Sequence, residues 1–421
     1  MTRLPLVQAS SLVLLAACAA TGDGSPSPVT VSGVVAGDYL ARSSAAGVVV
    51  SIGAKSTLSD ENGAFRIDDV VPPYDLIAIG TTGAKVAMVY RGLTRTDPTI
   101  PLGSLNASVR REGKIEGTVS GGDPPGSPGE QTRLAWGASV VSSRGNSVVD
   151  VFAPSYEYFL TWFGPSATVI GNLHLLQWAE ANNVPSSYKA YGERTGIPVT
   201  SGGTTSGIDI AMSGLTATTV GGAVVLPGGM ALQSIGLLLA FDDGARIPLG
   251  SQPSPPSPAF SYPFPSLTGG TATLSAVSVP SGGSLSFGQV RRVQPGTTNA
   301  VVSVPPLISQ LLPVDGAVQV TSSTEFSWTA PGTGQFVYFF VAEPPVGPHP
   351  VYHLMTTQTS TRLPDLSSQG LGLPSGVSYT WRVTAIGPHP SLDSAAGKSG
   401  IYPESDTELD AFTGGRSFVT Q

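Results

Sequence analysis

The sequence predicts an all-β protein built from tandem β-sandwich domains, and three observations point to this class. The 421 residues include 52 Gly and 37 Pro, which disfavour helices because they cost about 1 and 3 kcal/mol in a helix interior. Short β-branched runs, such as residues 47–52 and 271–279, alternate with Gly, Pro, Ser and Asn, as strands alternate with turns. A short motif also recurs along the chain, which predicts repeated units.

This motif is a β-branched residue, any residue, Gly, any residue and Val, and it occurs at 31–35, 115–119 and 220–224. A second match, GTTSGI at 203–208 and GTTNAV at 296–301, closes two of the units. Units that open and close with short strands are typical of β-sandwiches. We expect a signal peptide, a tether and four sandwiches, named here the first to fourth units, at residues 1–17, 18–28, 29–103, 104–213, 214–306 and 307–421.

Composition excludes two broad classes. The formal net charge is −7 and only 12% of residues are charged, against roughly 25% in an average globular protein. An acidic chain cannot offer the basic footprint that nucleic acid requires, so no nucleic-acid partner is expected. Hydrophobic residues make up 40% of the chain, which is too many for wholesale disorder.

The N-terminus carries a targeting signal. Arg3 precedes the apolar run at 12–17, and Cys18 follows it; the run is too short to span a bilayer and predicts a secretory signal that is removed. Leu15-Ala16-Ala17-Cys18 resembles the lipobox of bacterial lipoproteins. That resemblance implies lipidation of Cys18 and anchoring to a membrane, and Ala19 then implies the outer membrane, on its periplasmic or outer surface. An ordinary signal peptide with a chance cysteine is the alternative.

The first unit has the pattern of a small sandwich. After the motif at 31–35 comes the turn Asp60–Gly63, where Asn62 and Gly63 are expected to supply the positive φ angles of a tight hairpin. Phe65 and Ile67 should then point to one face of a strand and Arg66 to the other. Over residues 29–103 these elements resemble the carboxypeptidase regulatory-like, transthyretin-like domain, which implies a β-sandwich without catalytic residues.

The fourth unit resembles a fibronectin type III domain over residues 307–388. The resemblance rests on Trp328, on the apolar strand at 336–341, and on Leu373 and Tyr379, which are six residues apart. It implies that Leu373 packs in the core and that the Tyr379 hydroxyl bonds back to the preceding loop. Further on, four acidic residues predict a solvated tail: Glu404, Asp406, Glu408 and Asp410.

Two segments in the middle of the chain are ambiguous. Residues 172–191 are interpreted as a strand as far as Trp178 followed by a turn, with two helical turns as the alternative. The proline-rich residues 252–266 cannot donate a regular hydrogen-bond ladder, so we expect a loop or an edge excursion there.

The sequence offers little chemistry. The four histidines are His174, His349, His353 and His389, and no zinc, nucleophile-elbow or phosphate motif accompanies them. Adjacent carboxylates such as Asp242 and Asp243 point to opposite sides in a strand, which makes them poor catalytic pairs. We therefore expect no metal, no cofactor and no enzyme activity. The competing hypothesis is a hydrolase, which would require a pocket where a histidine and carboxylates converge.

The best candidate for a binding surface is the aromatic strand at 156–163. Tyr156, Tyr158 and Trp162 share one face of it and could form a ligand platform, because aromatic rings stack on sugars and act as interface hot spots. Burial of both faces is the alternative. The predicted function is adhesion, scaffolding or partner binding by a lipid-anchored envelope protein, with an envelope protein or a glycan as partner. Carbohydrate or small-ligand capture by the three rings is the second hypothesis.

Overall fold

The computed structural model describes residues 27–421, apart from residues 38, 40–43, 82–83, 103–109, 139–147, 164–165, 280–283, 333 and 346 and the side chain of residue 163. The predicted signal peptide, the lipidation site Cys18 and tether residues 18–26 lie outside the described residues. Within the described part, helix is limited to α1 (Leu392–Ala395) and a 3-10 turn at Ser367–Gln369, which confirms the all-β prediction. No helix in this part has the length and apolarity needed to cross a bilayer.

The first unit folds as predicted around the strand that follows its tight turn. Phe65 and Ile67 are buried and Arg66 is exposed. Gly63 alone of the two turn residues has a positive φ, of 74°; Asp60 stabilises the turn instead, since its Oδ1 accepts the N–H groups of Asn62 and Ala64, both at 2.8 Å. The strands are β1 (Val29–Ala36), β2 (Val49–Ile52), β3 (Lys55–Leu58), β4 (Ala64–Val70), β5 (Tyr74–Thr81), β6 (Lys85–Leu93) and β7 (Thr99–Pro101).

A long hairpin dominates the second unit. It confirms a strand through Trp178 and excludes the helical alternative, but its turn comes later, at Asn182 and Asn183, whose φ angles of 54° and 61° are those of a two-residue hairpin loop. The strands are β8 (Arg110–Ser120), β9 (Glu130–Gly137), β10 (Val148–Asp150), β11 (Ser155–Phe163), β12 (Thr168–Ala181), β13 (Val184–Thr200), β14 (Thr204–Thr205), β15 (Ile210–Ala211) and β16 (Ser213–Gly214).

The third unit confirms the edge alternative for its proline-rich segment, most of which forms strands rather than a loop. Pro263 and Pro265 lie opposite Thr219 and Ala217 on an edge strand that pairs on one side only, where a missing N–H is tolerated. The strands are β17 (Ala217–Val225), β18 (Leu232–Phe241), β19 (Arg246–Pro253), β20 (Ala259–Pro265), β21 (Gly270–Ser278), β22 (Leu285–Val293) and β23 (Ala300–Ser303).

In the fourth unit the aromatic residues that the sequence singled out form part of the core. Trp328 and Tyr379 are buried and Leu373 is partly buried against the same core. The Tyr379 hydroxyl donates to the carbonyl of Pro350 at 3.1 Å, 29 positions earlier, and not to the loop directly before it as the resemblance implied. The strands are β24 (Gln310–Leu312), β25 (Ala317–Val320), β26 (Glu325–Trp328), β27 (Val337–Glu343), β28 (Val351–Thr356), β29 (Ser360–Arg362), β30 (Ser378–Gly387), β31 (Thr407–Phe412) and β32 (Arg416–Thr420).

The recurring sequence motif marks a recurring topology. The strand that carries it, β1, β8 or β17, pairs antiparallel on one side and parallel on the other with a closing segment of its own unit. The motif glycine lies where the closing segment crosses: a Cβ on Gly117 or Gly222 would stand 1.9 or 1.8 Å from the carbonyl oxygen of Ile208 or Ala300. Gly33 is similarly close to Pro98, at 2.3 Å. Close backbone approach therefore explains the glycine in the repeat.

One sheet continues through three of the units. It contains 14 strands, and its main path runs in the order β19-β18-β21-β22-β31-β30-β27-β28-β6-β5-β2-β3. The third unit joins the fourth through antiparallel pairing of β22 with β31. The fourth joins the first through parallel pairing of β28 with β6. The units are therefore joined by backbone hydrogen bonds and are not independent domains connected only by linkers.

Hydrophobic cores also cross the unit boundaries. The core of the first unit includes Phe339 and Met355 from the fourth. The core of the third unit includes Leu176 and Trp178 from the second. Burial of apolar surface is worth about 25 cal/mol per Å², so each shared core makes separation of the units costly.

Candidate functional site

The structure places the predicted aromatic platform in the core of the second unit. Tyr158 and Trp162 are 0% and 1% exposed and Tyr156 is 6% exposed. The Trp162 indole donates to the carbonyl of Ser166 at 3.0 Å, and the Tyr156 hydroxyl donates to that of Ile208 at 2.5 Å. The expectation of an accessible platform at these three rings is wrong, because the rings fill the sandwich and cannot stack on a ligand.

The opposite face of the same strand is open. Phe159 is 62% exposed, with the Lys114 ammonium 5.9 Å from the centre of its ring. Lys114 is in turn 3.2 Å from the Glu157 carboxylate. The alternative in which both faces are buried is therefore wrong as well. Alternation of side chains along the strand signalled two different faces but not which of them turns inward.

The joint between the first and fourth units is held by polar contacts as well as strands. Asp393, in α1, accepts the backbone N–H groups of Thr94 and Arg95 at 2.8 and 3.0 Å. The N–H of Thr99 donates to the carbonyl of Ala396 at 2.8 Å. No sequence motif marked these residues, which lie about 300 positions apart.

A groove opens beside this joint, in two lobes of about 370 and 400 Å³ that share Arg91 and Arg362. Arg91 donates to the carbonyl of Arg362 at 3.0 Å and lies 3.9 Å from the Asp75 carboxylate. Asp365 and Glu325 also line the lobes. Charges of both signs therefore alternate along the groove, which gives it no single preferred ligand charge.

The joint between the third and fourth units corrects the prediction of a solvated acidic tail. Glu408 and Asp410 lie on β31 and are buried, and only the neighbouring Asp406 is exposed among these three. Glu408 forms an ion pair with Arg291 of β22. Burial raises the pKa of Asp410 to about 7, although the positive charge of Arg291 lowers it. The alternation of acidic residues in 404–410 fits a strand with one buried face, a pattern that could have been seen in the sequence.

At the joint between the second and third units, a histidine meets carboxylates. His174 is 6% exposed, and its Nε2 lies 2.8 Å from Asp243 Oδ2. Its Nδ1 lies 2.8 Å from the Tyr191 hydroxyl, which lies 2.8 Å from Glu193 Oε2. The ring of Phe241 stacks on the imidazole with centroids 3.9 Å apart. Sequence reasoning missed this cluster because Asp243 reaches it from a turn rather than from a strand.

The other histidines are separate from this cluster. His353 is buried beside Tyr39, 3.3 Å from its hydroxyl, and burial lowers its pKa to about 4. His389 contacts the Ser394 hydroxyl and the carbonyl of Ile401, both at 3.0 Å. His353 thus lies on a buried strand, β28. Within the described residues, no group of three His, Cys, Asp or Glu is arranged to hold a metal ion.

Comparison with known proteins yields no family. No protein-family model matches the chain, and no curated protein matches it. Among solved structures, the chain is similar to a DUF3823 family protein from Parabacteroides merdae, at 12% identity and a TM-score of 0.13, over 40% of this chain and 92% of that one.

Two further similar structures are those of a pilin and of part of an adhesion protein. A streptococcal ancillary pilin is matched at 10% identity and a TM-score of 0.17, over 66% of this chain and 99% of that one. A tetra-tandem repeat from the extending region of a large adhesion protein is matched at 13% identity and a TM-score of 0.17, over 94% and 99%. Identities and TM-scores this low establish neither a shared fold nor a shared function.

Proposed function

We propose that the chain is a non-catalytic protein of the bacterial cell envelope that is anchored through Cys18 and acts as a rigid scaffold in adhesion or partner binding. The observation that carries this proposal is the strand pairing between units, above all that of Val351–Met355 with Val86–Tyr90. Such pairing fixes the position of one unit against the next, because moving them apart breaks several backbone hydrogen bonds together. Fixed spacing is what a scaffold needs and what a catalytic domain does not require.

Two resemblances support the proposal. The turn at Asp60–Gly63 and the buried Phe65 and Ile67 fit a carboxypeptidase regulatory-like sandwich in the first unit. The buried Trp328 and the packing of Leu373 against the core that contains Tyr379 fit a fibronectin type III-like fourth unit. Both kinds of module recur as spacers and adhesion domains, and fold alone does not prove function.

Anchoring is tested by labelling cells that express the full chain with a clickable fatty acid. We expect label and membrane fractionation in the parent chain and loss of both in Cys18→Ser. Ala19→Asp is the matched control, since it keeps the acylated cysteine and is expected to move the protein to the inner membrane. A parent chain that keeps its leader and an unmodified Cys18 would contradict the proposal.

Scaffolding is tested with the Cys18→Ser chain as bait in envelope extracts. We expect a specific set of envelope proteins to be retained, and their loss in a second chain that also carries Leu354→Asp. Leu354 is fully buried and lies in the strand that joins the fourth unit to the first. Equal retention by both chains would show that a fixed arrangement of units is not needed.

A further inference from the structure

The cluster around His174 links the second and third units through a row of four side chains. Asp243 comes from the turn between β18 and β19, His174 from β12, and Tyr191 and Glu193 from β13. Each neighbouring pair in the row is 2.8 Å apart. Each of the three hydrogen bonds needs one hydrogen between its two partners, so the four groups must share three. The number of hydrogens that they carry therefore decides which of the three bonds can form.

At the Asp243 end the direction of the hydrogen bond is fixed. Its Oδ1 accepts the N–H of Ala245 at 3.0 Å, and its Oδ2 accepts the side-chain amide of Asn172 at 2.7 Å. The orientation of that amide is set by its other end, since Asn172 Oδ1 accepts the N–H of Gly196 at 3.1 Å. Burial alone would raise the pKa of Asp243, but these bonds and that from His174 lower it to about 2. The carboxylate is thus ionised and can only accept, so His174 Nε2 carries a hydrogen.

At the other end, Glu193 competes for the Tyr191 hydroxyl. A tyrosine hydroxyl has one hydrogen to donate. The hydroxyl oxygen of Tyr191 lies 2.8 Å from both Glu193 Oε2 and His174 Nδ1. If the hydrogen points to Glu193, then Nδ1 must donate to the tyrosine oxygen. Both ring nitrogens of His174 then carry hydrogen, and the ring is an imidazolium.

The surroundings of the ring suit a positive charge. The Phe241 ring lies under the imidazole at a 19° interplanar angle, and an aromatic face attracts a cation. On the other neighbouring strand the residue opposite His174 is Ala135, which has no charge. The carboxylate of Asp242, the residue before Asp243, lies beside Gly269 and not beside His174. Among the residues that the structure describes, the charged groups that face His174 are therefore the carboxylates of Asp243 and Glu193.

We propose that His174 is the proton-binding element of a pH-sensitive latch between the second and third units, in which one proton decides whether Tyr191 is bonded to Glu193. Protonated His174 completes all three hydrogen bonds. When the Nδ1 proton leaves for solvent, Tyr191 donates to Nδ1, and the Glu193 carboxylate then faces only lone pairs of the tyrosine oxygen. Glu193 is 52% exposed, so it moves into water.

The same proton changes the bond that crosses the joint. With an imidazolium, the contact from His174 to Asp243 is a hydrogen-bonded ion pair, whereas with a neutral ring only the carboxylate is charged. Loss of the proton weakens the link between the two units. The latch is thus closed when the His174 imidazole is protonated and looser when it is neutral. This inference does not depend on the proposed anchoring or scaffolding role.

The test is an NMR titration of the full chain with 15N-labelled histidine and 13C-labelled glutamate side chains, from pH 5 to pH 8. We expect His174 to have hydrogen on both nitrogens at pH 5 and on Nε2 alone at pH 8. The Glu193 carboxyl signal should shift at the same midpoint. His353 and His389, which are buried without a carboxylate partner, serve as internal controls and should stay neutral at pH 6.

A matched variant tests whether protonation of His174 acts on Glu193 through the hydroxyl of Tyr191. Tyr191→Phe removes one hydroxyl and keeps the ring, and it should uncouple the Glu193 signal from His174. In the parent chain, we expect hydrogen exchange of the Ala245 amide to be about fivefold faster above the midpoint than below it, after correction for the intrinsic rates. This factor corresponds to a loss of roughly 1 kcal/mol, the net contribution of one hydrogen bond. A neutral His174 at pH 5, a Glu193 signal that ignores His174, or the same coupling in Tyr191→Phe would each overturn the proposal.

Discussion

Asp393 accepts the backbone N–H of Thr94 at 2.8 Å, across 299 positions of sequence. The same carboxylate oxygen accepts the N–H of Arg95 at 3.0 Å. The bonds lie next to the shared sheet of the first and fourth units, so one side chain near the end of the chain completes the backbone of a loop near its beginning.

Replacing Asp393 with Ala should weaken this joint. Two backbone N–H groups lose a charged acceptor, and bonds of this kind contribute about 1–3 kcal/mol where they are shielded and less where water competes. We expect a loss of about 1–2 kcal/mol in the free energy of urea unfolding. Glu61→Ala, in an exposed turn, is the control and should change stability by less than about 0.5 kcal/mol. An equal effect of the two substitutions would contradict the role given to Asp393.

Substitution by alanine should change stability by very different amounts at a motif glycine and at another glycine six positions further on. Gly222→Ala would place a methyl group 1.8 Å from the carbonyl oxygen of Ala300, whereas a Cβ on Gly228 meets nothing within 4 Å. We expect Gly222→Ala to cost about 2–3 kcal/mol, since crowding of this kind forces backbone shifts, and Gly228→Ala to be close to neutral. Urea unfolding of both variants checks this, and a neutral Gly222→Ala would remove the explanation of the repeat.

In the aromatic strand, truncating a ring on the buried face should reduce stability far more than truncating a ring on the exposed face. Trp162→Ala leaves a cavity in the core of the second unit, and truncation of a buried Trp costs about 3–5 kcal/mol. Phe159→Ala, on the exposed face three residues away, should cost less than about 1 kcal/mol. Thermal and urea unfolding measure both, and a small loss for Trp162→Ala would mean that its ring is not part of the core.

Asp410 predicts a pH dependence of stability. Its pKa is about 7 in the folded protein and close to 3.9 when unfolded, so between these values the folded state binds more protons than the unfolded one. The contribution of this group therefore makes the protein less stable as pH rises from about 4 to about 7, by up to roughly 4 kcal/mol.

Asp410→Asn should remove that dependence. We expect the variant to be more stable than the parent at pH 8 and similar to it at pH 4, as measured by urea unfolding at a series of pH values. Asp406→Asn, an exposed position directly before β31, is the control and should leave the pH profile unchanged. A profile of Asp410→Asn that parallels the parent would show that the carboxyl group is not the cause.

The sequence was a good guide where a local pattern determines structure. Alternation predicted the inward Phe65 and Ile67, and turn chemistry predicted strands in place of helices. It failed where the answer depends on a distant partner: whether Tyr158 or Phe159 faces inward depends on the sheet that covers them. The prolines at 263 and 265 were correctly expected at a sheet edge, because an edge strand tolerates a missing N–H and a central one does not.

The joints between units could not be predicted at all. Pairing of β6 with β28 has no local signal, since both strands are apolar runs that fit many neighbours. The contact of His174 with Asp243 requires Gly137, where a Cβ would lie 2.2 Å from the Asp243 carboxylate. A single glycine in a strand carries no indication of the side chain that it admits.

The pairing of β6 with β28 has a consequence for how the protein is made. Ribosomes and export channels release the N-terminal part first, so β6 emerges long before its partner strand and waits with one edge unpaired. Unpaired edges recruit other chains, and contacts between distant parts of a sequence form slowly. The early strands of this protein are therefore exposed to pairing with other chains until the last quarter of the polypeptide has been made.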